Sequence, residues 1–231
     1  MIRVVAFDLD DTLWHVDPVI RRAEGILKAW LGDRVVDFIY DRQQIGRYRD
    51  VVVAEQPGLA GRMTDFRRAV LNKALADHGV TDAVRNRIVN EAIEIFLTAR
   101  NEIEFFEGTL ETLARLAEDF ILGALSNGNA DIQRLGLAEH FSFAFSAEDV
   151  GSPKPAPDLF HAALKHIGCE PEEVVYVGDD PIKDVDAANA VGMRSIWLRN
   201  SLRPGPGQTE PNAIIEDIRQ LPAALARLKA R

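Results

Sequence analysis

The sequence predicts an α/β fold, a parallel sheet with helices on both faces, interrupted after its first strand by an all-helical insert. Three observations carry this. Short apolar, β-branched runs alternate with helical segments from Gly108 to about residue 200, the pattern of parallel strands joined by crossover helices. Residues 33–105 show helical periodicity and no clear strand. Charge divides the chain at the same places: residues 15–105 hold 14 basic and 14 acidic side chains, so the rest carries the whole net charge of −9. A core of residues 1–14 and 106–231 with an insert of residues 15–105 follows.

Each element has its own signal. Residues 2–9 are mostly β-branched and apolar and read as a strand buried on both faces. Pro18 opens a helix to about Leu31, with Asp17 as its cap. Phe38, Ile45, Val52 and Val53 mark one apolar face of a helix in the insert. A second helix starts at Thr64 and ends at Gly79, and a third starts at Thr81 with Val84, Ile88, Ala92, Ile95 and Phe96 at helical spacing. The core resumes with a helix over 110–117, a strand over 120–125, a helix over 130–135 and a strand over 141–145. A helix over 157–167, a strand over 174–177, a helix over 182–191 and a strand over 195–198 follow. Residues 202–213, rich in proline and glycine, read as a loop, and Asp217 caps a last helix.

Composition excludes several classes. The acidic balance argues against a general nucleic-acid binder, which needs a basic surface. No apolar run reaches the roughly 18 residues of a membrane span. The opening MIRVVAFDLD reaches acid too soon for a secretory signal, and the single Cys169 permits no internal disulfide, so a cytoplasmic location is expected. There is no GxxxxGKS/T, no strand-linked GxGxxG and no HExxH, and Ser126 is not in a GxSxG elbow.

In parallel sheets ligands bind at the carboxyl ends of strands, here Asp8–Thr12, Ser126–Gly128 and Gly178–Asp184. Asp8 and Asp10, two apart at a strand end, share a face. Asp179, Asp180 and Asp184 end another strand. If the two strands are neighbours, four or five carboxylates converge and need a cation. Such an all-oxygen set suits Mg²⁺. Ser126, Asn127 and Lys154, in loops after strands, are candidates to hold an anionic group. An aspartate after a strand is often only a cap or turn residue, but three polar strand ends together argue for a site.

The run Asp8-Leu9-Asp10-Asp11-Thr12 resembles the DxDxT/V signature of the haloacid dehalogenase superfamily. Ser126, Lys154 and Gly178-Asp179-Asp180 with Asp184 are similar to its second, third and fourth motifs, in order, and the insert stands where that superfamily carries its helical type-1 cap. The resemblance implies a Rossmann-like core and a phosphatase. It implies Asp8 as the nucleophile that forms an aspartyl-phosphate and Asp10 as general acid and base. Mg²⁺ would be held by Asp8, the Asp10 carbonyl and Asp179, with Asp184 direct or through water, and the phosphoryl group by Ser126 and Lys154. Asp10 distinguishes the chain from the dehalogenase branch, which resembles DxYGT. A 2-haloacid dehalogenase and a silent binding protein on the same fold are the alternatives. Lys28 and Lys73, the only lysines of the insert, carry no mark of a Schiff base.

The expected substrate is a small phosphomonoester, a sugar phosphate, nucleotide or flavin-pathway phosphate. Twelve of the 14 basic residues in 15–105 are arginines. Arg42, Arg47 and Arg49 near Tyr40 and Tyr48, with Arg62, Arg67 and Arg68, either contact the leaving group or form a solvated, salt-bridged face. His15 stands where the chain leaves the core.

Overall fold

The computed structural model describes residues 1–59, 61–203 and 205–230. The chain divides into two compact units, Met1–Val16 with Ile103–Arg231, and Asp17–Glu102.

Strand β1 (Val4–Phe7) is buried at every residue, as an apolar run sandwiched on both faces must be. The chain then forms the four long helices α1 (Val16–Gly32), α2 (Arg42–Glu55), α3 (Met63–Asp77) and α4 (Asp82–Arg100). After α5 (Thr109–Ala117) come β2 (Ile121–Ser126), β3 (Phe143–Ser146), the short α6 (Ala147–Val150), α7 (Asp158–Ile167) and β4 (Val174–Gly178). A wide π-type turn, Pro181–Asp186, runs into α8 (Ala187–Ala190), followed by β5 (Arg194–Leu198), β6 (Ala213–Ile215) and α9 (Leu221–Lys229).

The six strands form one parallel sheet in the order β3-β2-β1-β4-β5-β6. Phe7 faces Ala124 on β2 and Val177 on β4, so β1, β2 and β4 end side by side. The Asp8 amide extends the ladder by one bond, donating to the Val177 carbonyl at 2.9 Å. Three polar strand ends therefore meet at one edge, as ligand sites in such sheets require.

The helical unit is held by a four-residue ridge on α1, where Val19, Ala23, Leu27 and Leu31 are all buried. Leu27 and Leu31 pack with Leu71, Leu75, Ile88 and Phe96 in one cluster. Each such side chain contributes about 1.5–3 kcal/mol by leaving water.

Several sequence expectations need correction. Helix α1 starts at Val16, so Asp17 lies inside the first turn and pairs with Arg21; the Asp11 carboxylate accepts the Val16 amide at 3.0 Å instead. Helix α2 starts only at Arg42, capped by Asp41, which accepts from the Gln44 amide at 2.7 Å. Phe38 therefore precedes the helix, and Val53 is exposed while Val52 is buried. In α4, Val84 is exposed and Ile88, Ala92 and Phe96 form the buried face. The segment 130–135 makes one turn rather than a helix: the Asp131 side chain takes the Gln133 amide, and Gly136 turns the chain into the left-handed region at φ +70°. Residues 202–213 end in β6, an edge strand too short to show a period. Asp217 caps a 3₁₀ turn, Ile218–Gln220, that leads into α9. Among the described residues no helix is long and apolar enough to cross a membrane.

Candidate active site

At the end of β1, Asp8 turns its carboxylate into the core, only 8% exposed. Lys154, in the segment between α6 and α7, is 2% exposed and meets it there. Its ammonium has three donors and uses all of them: Asp8 at 2.8 Å, Asp184 at 2.7 Å and the Tyr176 hydroxyl at 2.6 Å. Tyr176 in turn donates to the Leu125 carbonyl at 2.9 Å. The main chain of Lys154 is fixed as firmly. The Asn127 amide accepts from the Lys154 N–H at 2.7 Å and donates to the Lys154 carbonyl at 2.8 Å.

Asp179 and Asp184 come from the end of β4 and the following wide turn. The Asp184 carboxylate packs directly over Gly178, where any side chain would overlap it, and its second oxygen accepts the Asp180 amide at 2.8 Å. Asp180 is the cap of that turn, taking the Ile182 and Lys183 amides at 3.0 and 2.9 Å. Asp179 sits between Thr12 and Asn200, whose amide donates to it at 3.2 Å, and is paired with Arg203. The Asp10 carboxylate accepts the Trp14 indole N–H at 3.0 Å and lines the same cavity. Ser126 is buried at the end of β2, its hydroxyl accepting the Gly128 amide at 3.0 Å.

Ligand oxygens of Asp8, Asp179 and Asp184 lie within 4.8 Å of one another, all buried. Burial first, and then the neighbouring carboxylates, push Asp179 up to about 7 against the pull of Arg203 and Asn200. Burial likewise lifts Asp184 to about 6, although Lys154 holds it down, and it raises Asp8. Burial works against the Lys154 charge, but Asp184 and Asp8 outweigh it and hold the ammonium protonated well beyond its usual range. Lys154 and Arg203 together leave three buried carboxylates one positive charge short. A hard divalent cation with oxygen ligands fits this set by charge, donor type and spacing. These groups, with Asp10, Ser126 and Asn127, line a cavity of about 150 Å³.

The family model of haloacid dehalogenase-like hydrolases matches residues 2–192. The chain belongs to this family. It is similar to the 5-amino-6-(5-phospho-D-ribitylamino)uracil phosphatase YigB of Escherichia coli, at 30% identity over 86% of this chain and 84% of that protein. It is also similar to a phosphoserine phosphatase of Thermus thermophilus, at 35% identity over 71% of this chain and 66% of that one. Among solved structures, a 2-haloacid dehalogenase of Pseudomonas syringae pv. tomato superposes with a TM-score of 0.93 at 38% identity, covering 99% of this chain and 100% of that one.

In this haloacid dehalogenase-like hydrolase, Asp8, Lys154, Asp179 and Asp184 converge on one cluster, and Asp10, Ser126 and Asn127 line the same cavity. The Asn127 side chain is spent on the backbone of Lys154. Sequence reasoning gave no role to Tyr176, Thr12, Asn200 or Arg203. Tyr176 sits in an apolar strand where its hydroxyl gives no pattern, and Arg203 sits in a loop with no periodicity. Within the helical unit, Arg67 pairs with Glu24 at 2.6 Å and lies over the Phe96 ring, Arg62 pairs with Asp65 and Arg68 bonds Asn90. Tyr40 donates to Glu24 at 2.6 Å. Arg42 and Arg47 are exposed. His15 stacks edge-on against Phe106 at 4.6 Å.

Proposed function

We propose that this hydrolase is a Mg²⁺-dependent phosphatase of a small, soluble phosphomonoester in the cytoplasm, working through an aspartyl-phosphate on Asp8. The observation that carries the reading is the pair of carboxylates after β1: Asp8 held by Lys154, and Asp10 held separately by Trp14. A nucleophile and an acid/base need different surroundings, and these two have them. The names of the relatives, phosphatases of a ribitylaminouracil phosphate and of phosphoserine, support the same chemistry.

Asp8 attacks phosphorus, forming the Asp8–O–P bond as the ester P–O bond breaks. Asp10 gives its proton to the leaving oxygen, then takes one from the water that hydrolyses the acyl phosphate. Lys154, its donors on Asp8, Asp184 and Tyr176, supplies positive charge beside the phosphoryl oxygens, Ser126 donates its O–H to one of them, and Asn127 fixes Lys154 from its backbone. Asp8, the Asp10 carbonyl and Asp179 would hold Mg²⁺, which when bound would supply charge neutralisation at the phosphoryl group. Asp184, both of whose oxygens are engaged by Lys154 and the Asp180 amide, would reach such an ion directly or through water. We assign residues 15–105 as the cap that reads the leaving group.

The test is phosphate release from a panel of phosphorylated metabolites: sugar phosphates, nucleotides, a ribityl phosphate and phosphoserine. Turnover should need Mg²⁺ and vanish in Asp8→Asn, with the variant still folded by circular dichroism. Near wild-type turnover in Asp8→Asn removes the nucleophile. The likeness to the Pseudomonas dehalogenase favours a second reading. Halide release from a 2-haloacid, with no phosphate release from any ester, would establish it.

A further inference from the structure

Resting on the metal-dependent reading above, we propose that Arg203 is a positioning residue that competes with the divalent cation for the Asp179 carboxylate, coupling metal occupancy to the loop after β5. The guanidinium reaches three carboxylates of the cluster: Asp179, Asp180 at 3.0 Å and Asp11 at 3.9 Å. Its side chain is 33% exposed, so two-thirds of it is covered while it serves acids that are themselves nearly buried.

The loop is built to deliver this side chain. Asn200 opens it with a double role. The amide nitrogen donates to Asp179 at 3.2 Å, and the amide oxygen accepts the backbone N–H groups of Leu202 and Arg203 at 2.9 and 3.3 Å. One side chain thus ties the acid to the turn that carries Arg203. Further along, Asp186 accepts the Gln208 amide at 2.8 Å and the Thr209 amide at 2.8 Å. Gly207 lies so close to the Pro181 carbonyl, 2.5 Å from where a Cβ would stand, that no larger residue fits. Both ends of the loop are therefore pinned to the segment that bears Asp179, Asp180 and Asp184, and Arg203 lies between the pins.

Among the described residues three cations line the cavity; Lys183, half-exposed, pairs with Asp180 at 3.5 Å, and the two that touch Asp8, Asp179 or Asp184 differ in kind. Lys154 is enclosed, with every donor bonded to a group that is itself buried. Arg203 comes from a partly exposed loop, is itself one-third exposed, and helps to line the cavity. A divalent ion on Asp179 and a guanidinium on the same carboxylate repel, and both seek its oxygens. Of the two positive groups, Arg203 is the one free to leave, by a rotation of its side chain. Arg203 and Asn200 share one Asp179 oxygen, Oδ2, while Oδ1 meets Thr12 at 3.5 Å; an ion on Oδ2 displaces Arg203 and costs the loop a contact, and an ion on Oδ1 is opposed by its charge.

Mg²⁺ binding is measured by calorimetry on the full-length protein without substrate, for wild type, Arg203→Ala, Arg203→Lys and Asp179→Ala. Losing one charge-assisted contact between the part-exposed Arg203 and the buried Asp179 corresponds to about tenfold in affinity. Arg203→Ala should bind Mg²⁺ about tenfold more tightly, Arg203→Lys should stay near wild type, and Asp179→Ala should bind weakly. Hydrogen exchange gives the second readout. Mg²⁺ should speed exchange of the Leu202 and Arg203 amides in wild type and leave them unchanged in Arg203→Ala. Equal or weaker Mg²⁺ binding in Arg203→Ala, with wild type and Asp179→Ala differing as expected, overturns the role of Arg203 alone. No Mg²⁺ binding to wild type overturns the metal reading and this proposal with it.

Discussion

Replacing Lys154 with methionine keeps the length of the side chain and removes the ammonium that bridges Asp8 and Asp184. Both carboxylates are buried, and each loses a charged partner at under 3 Å. Removing one member of a buried ion pair costs about 3–5 kcal/mol, because the remaining charge is left without its partner. Here the cost depends on pH, and its sign follows from the direction of the shifts. Asp184 already titrates near 6 with Lys154 present, above its unfolded value, and Asp8 is also raised. Without Lys154 both rise further, since its attraction was lowering them. A carboxylate whose folded pKa is raised binds more protons folded than unfolded, so stability falls as pH climbs from the unfolded value through the folded one. Lys154 itself stays charged throughout this range. The Lys154→Met protein should therefore lose about 3–5 kcal/mol near pH 8 and about 1–2 kcal/mol near pH 5, where both acids can protonate. Urea unfolding with a chelator present, at both pH values, measures this. Equal losses at the two pH values, or under about 1 kcal/mol at the higher one, would refute the burial and pairing described for Lys154.

Two further predictions use other parts of the site. Gly178→Ala sets a methyl against the Asp184 carboxylate, which cannot retreat because Lys154 and the Asp180 amide hold it; a loss of about 1–3 kcal/mol in urea unfolding is expected, with turnover falling further than stability, whereas an unchanged midpoint would show the contact to be soft. The stabilisation conferred by Mg²⁺ should grow between about pH 5.5 and pH 8, because Asp179 near 7 and Asp184 near 6 must give up protons before the cluster carries its full charge; a shift in unfolding midpoint that is the same across this range would count against these two acids as the groups that respond to the ion.

The core strands were legible because their signal is uniform. Val4–Phe7 and Val174–Val177 are apolar throughout, and a run buried on both faces needs no alternation to be seen. The polar residue that ends each run is then conspicuous, which is why Asp8, Ser126 and Asp179 could be picked out singly. What one dimension does not contain is the pairing. Tyr176 donates to Leu125 across β1, and its register partner there is Ala6, flanked on β2 by Gly123. The ring crosses where the intervening residues are small, a relation between three strands that no local window holds. Arg203 was hidden for a different reason. Its segment has no period, and its position is set by Asn200 and Asp186 through side-chain bonds to the loop backbone. The misread segment at 130–135 belongs to the same class. The Asp131 side-chain bond to the Gln133 amide offers the chain an alternative to a helix, and Gly136 turns it away after one turn.

The net charge of −9 has a physical consequence at this edge of the sheet. Buried carboxylates in a cluster are tolerated only if each repulsion is met by a cation or a shared proton. Lys154 meets two of the three acids from inside, with no donor to spare. Asp179 is left as the acid whose balance must come from elsewhere, and it is the one pushed up to about 7. A carboxylate in that position does not settle in one state near neutrality. It can hold a proton, accept Arg203 from the loop on Oδ2, or ligate a divalent ion, and each positive charge opposes the others at this one carboxylate. On the proposed metal-dependent reading, the affinity of the site for a divalent ion is set less by the number of aspartates around it than by how strongly the proton and Arg203 resist displacement. This makes the loop after β5, outside the four motifs of the family, a determinant of how the motif residues behave.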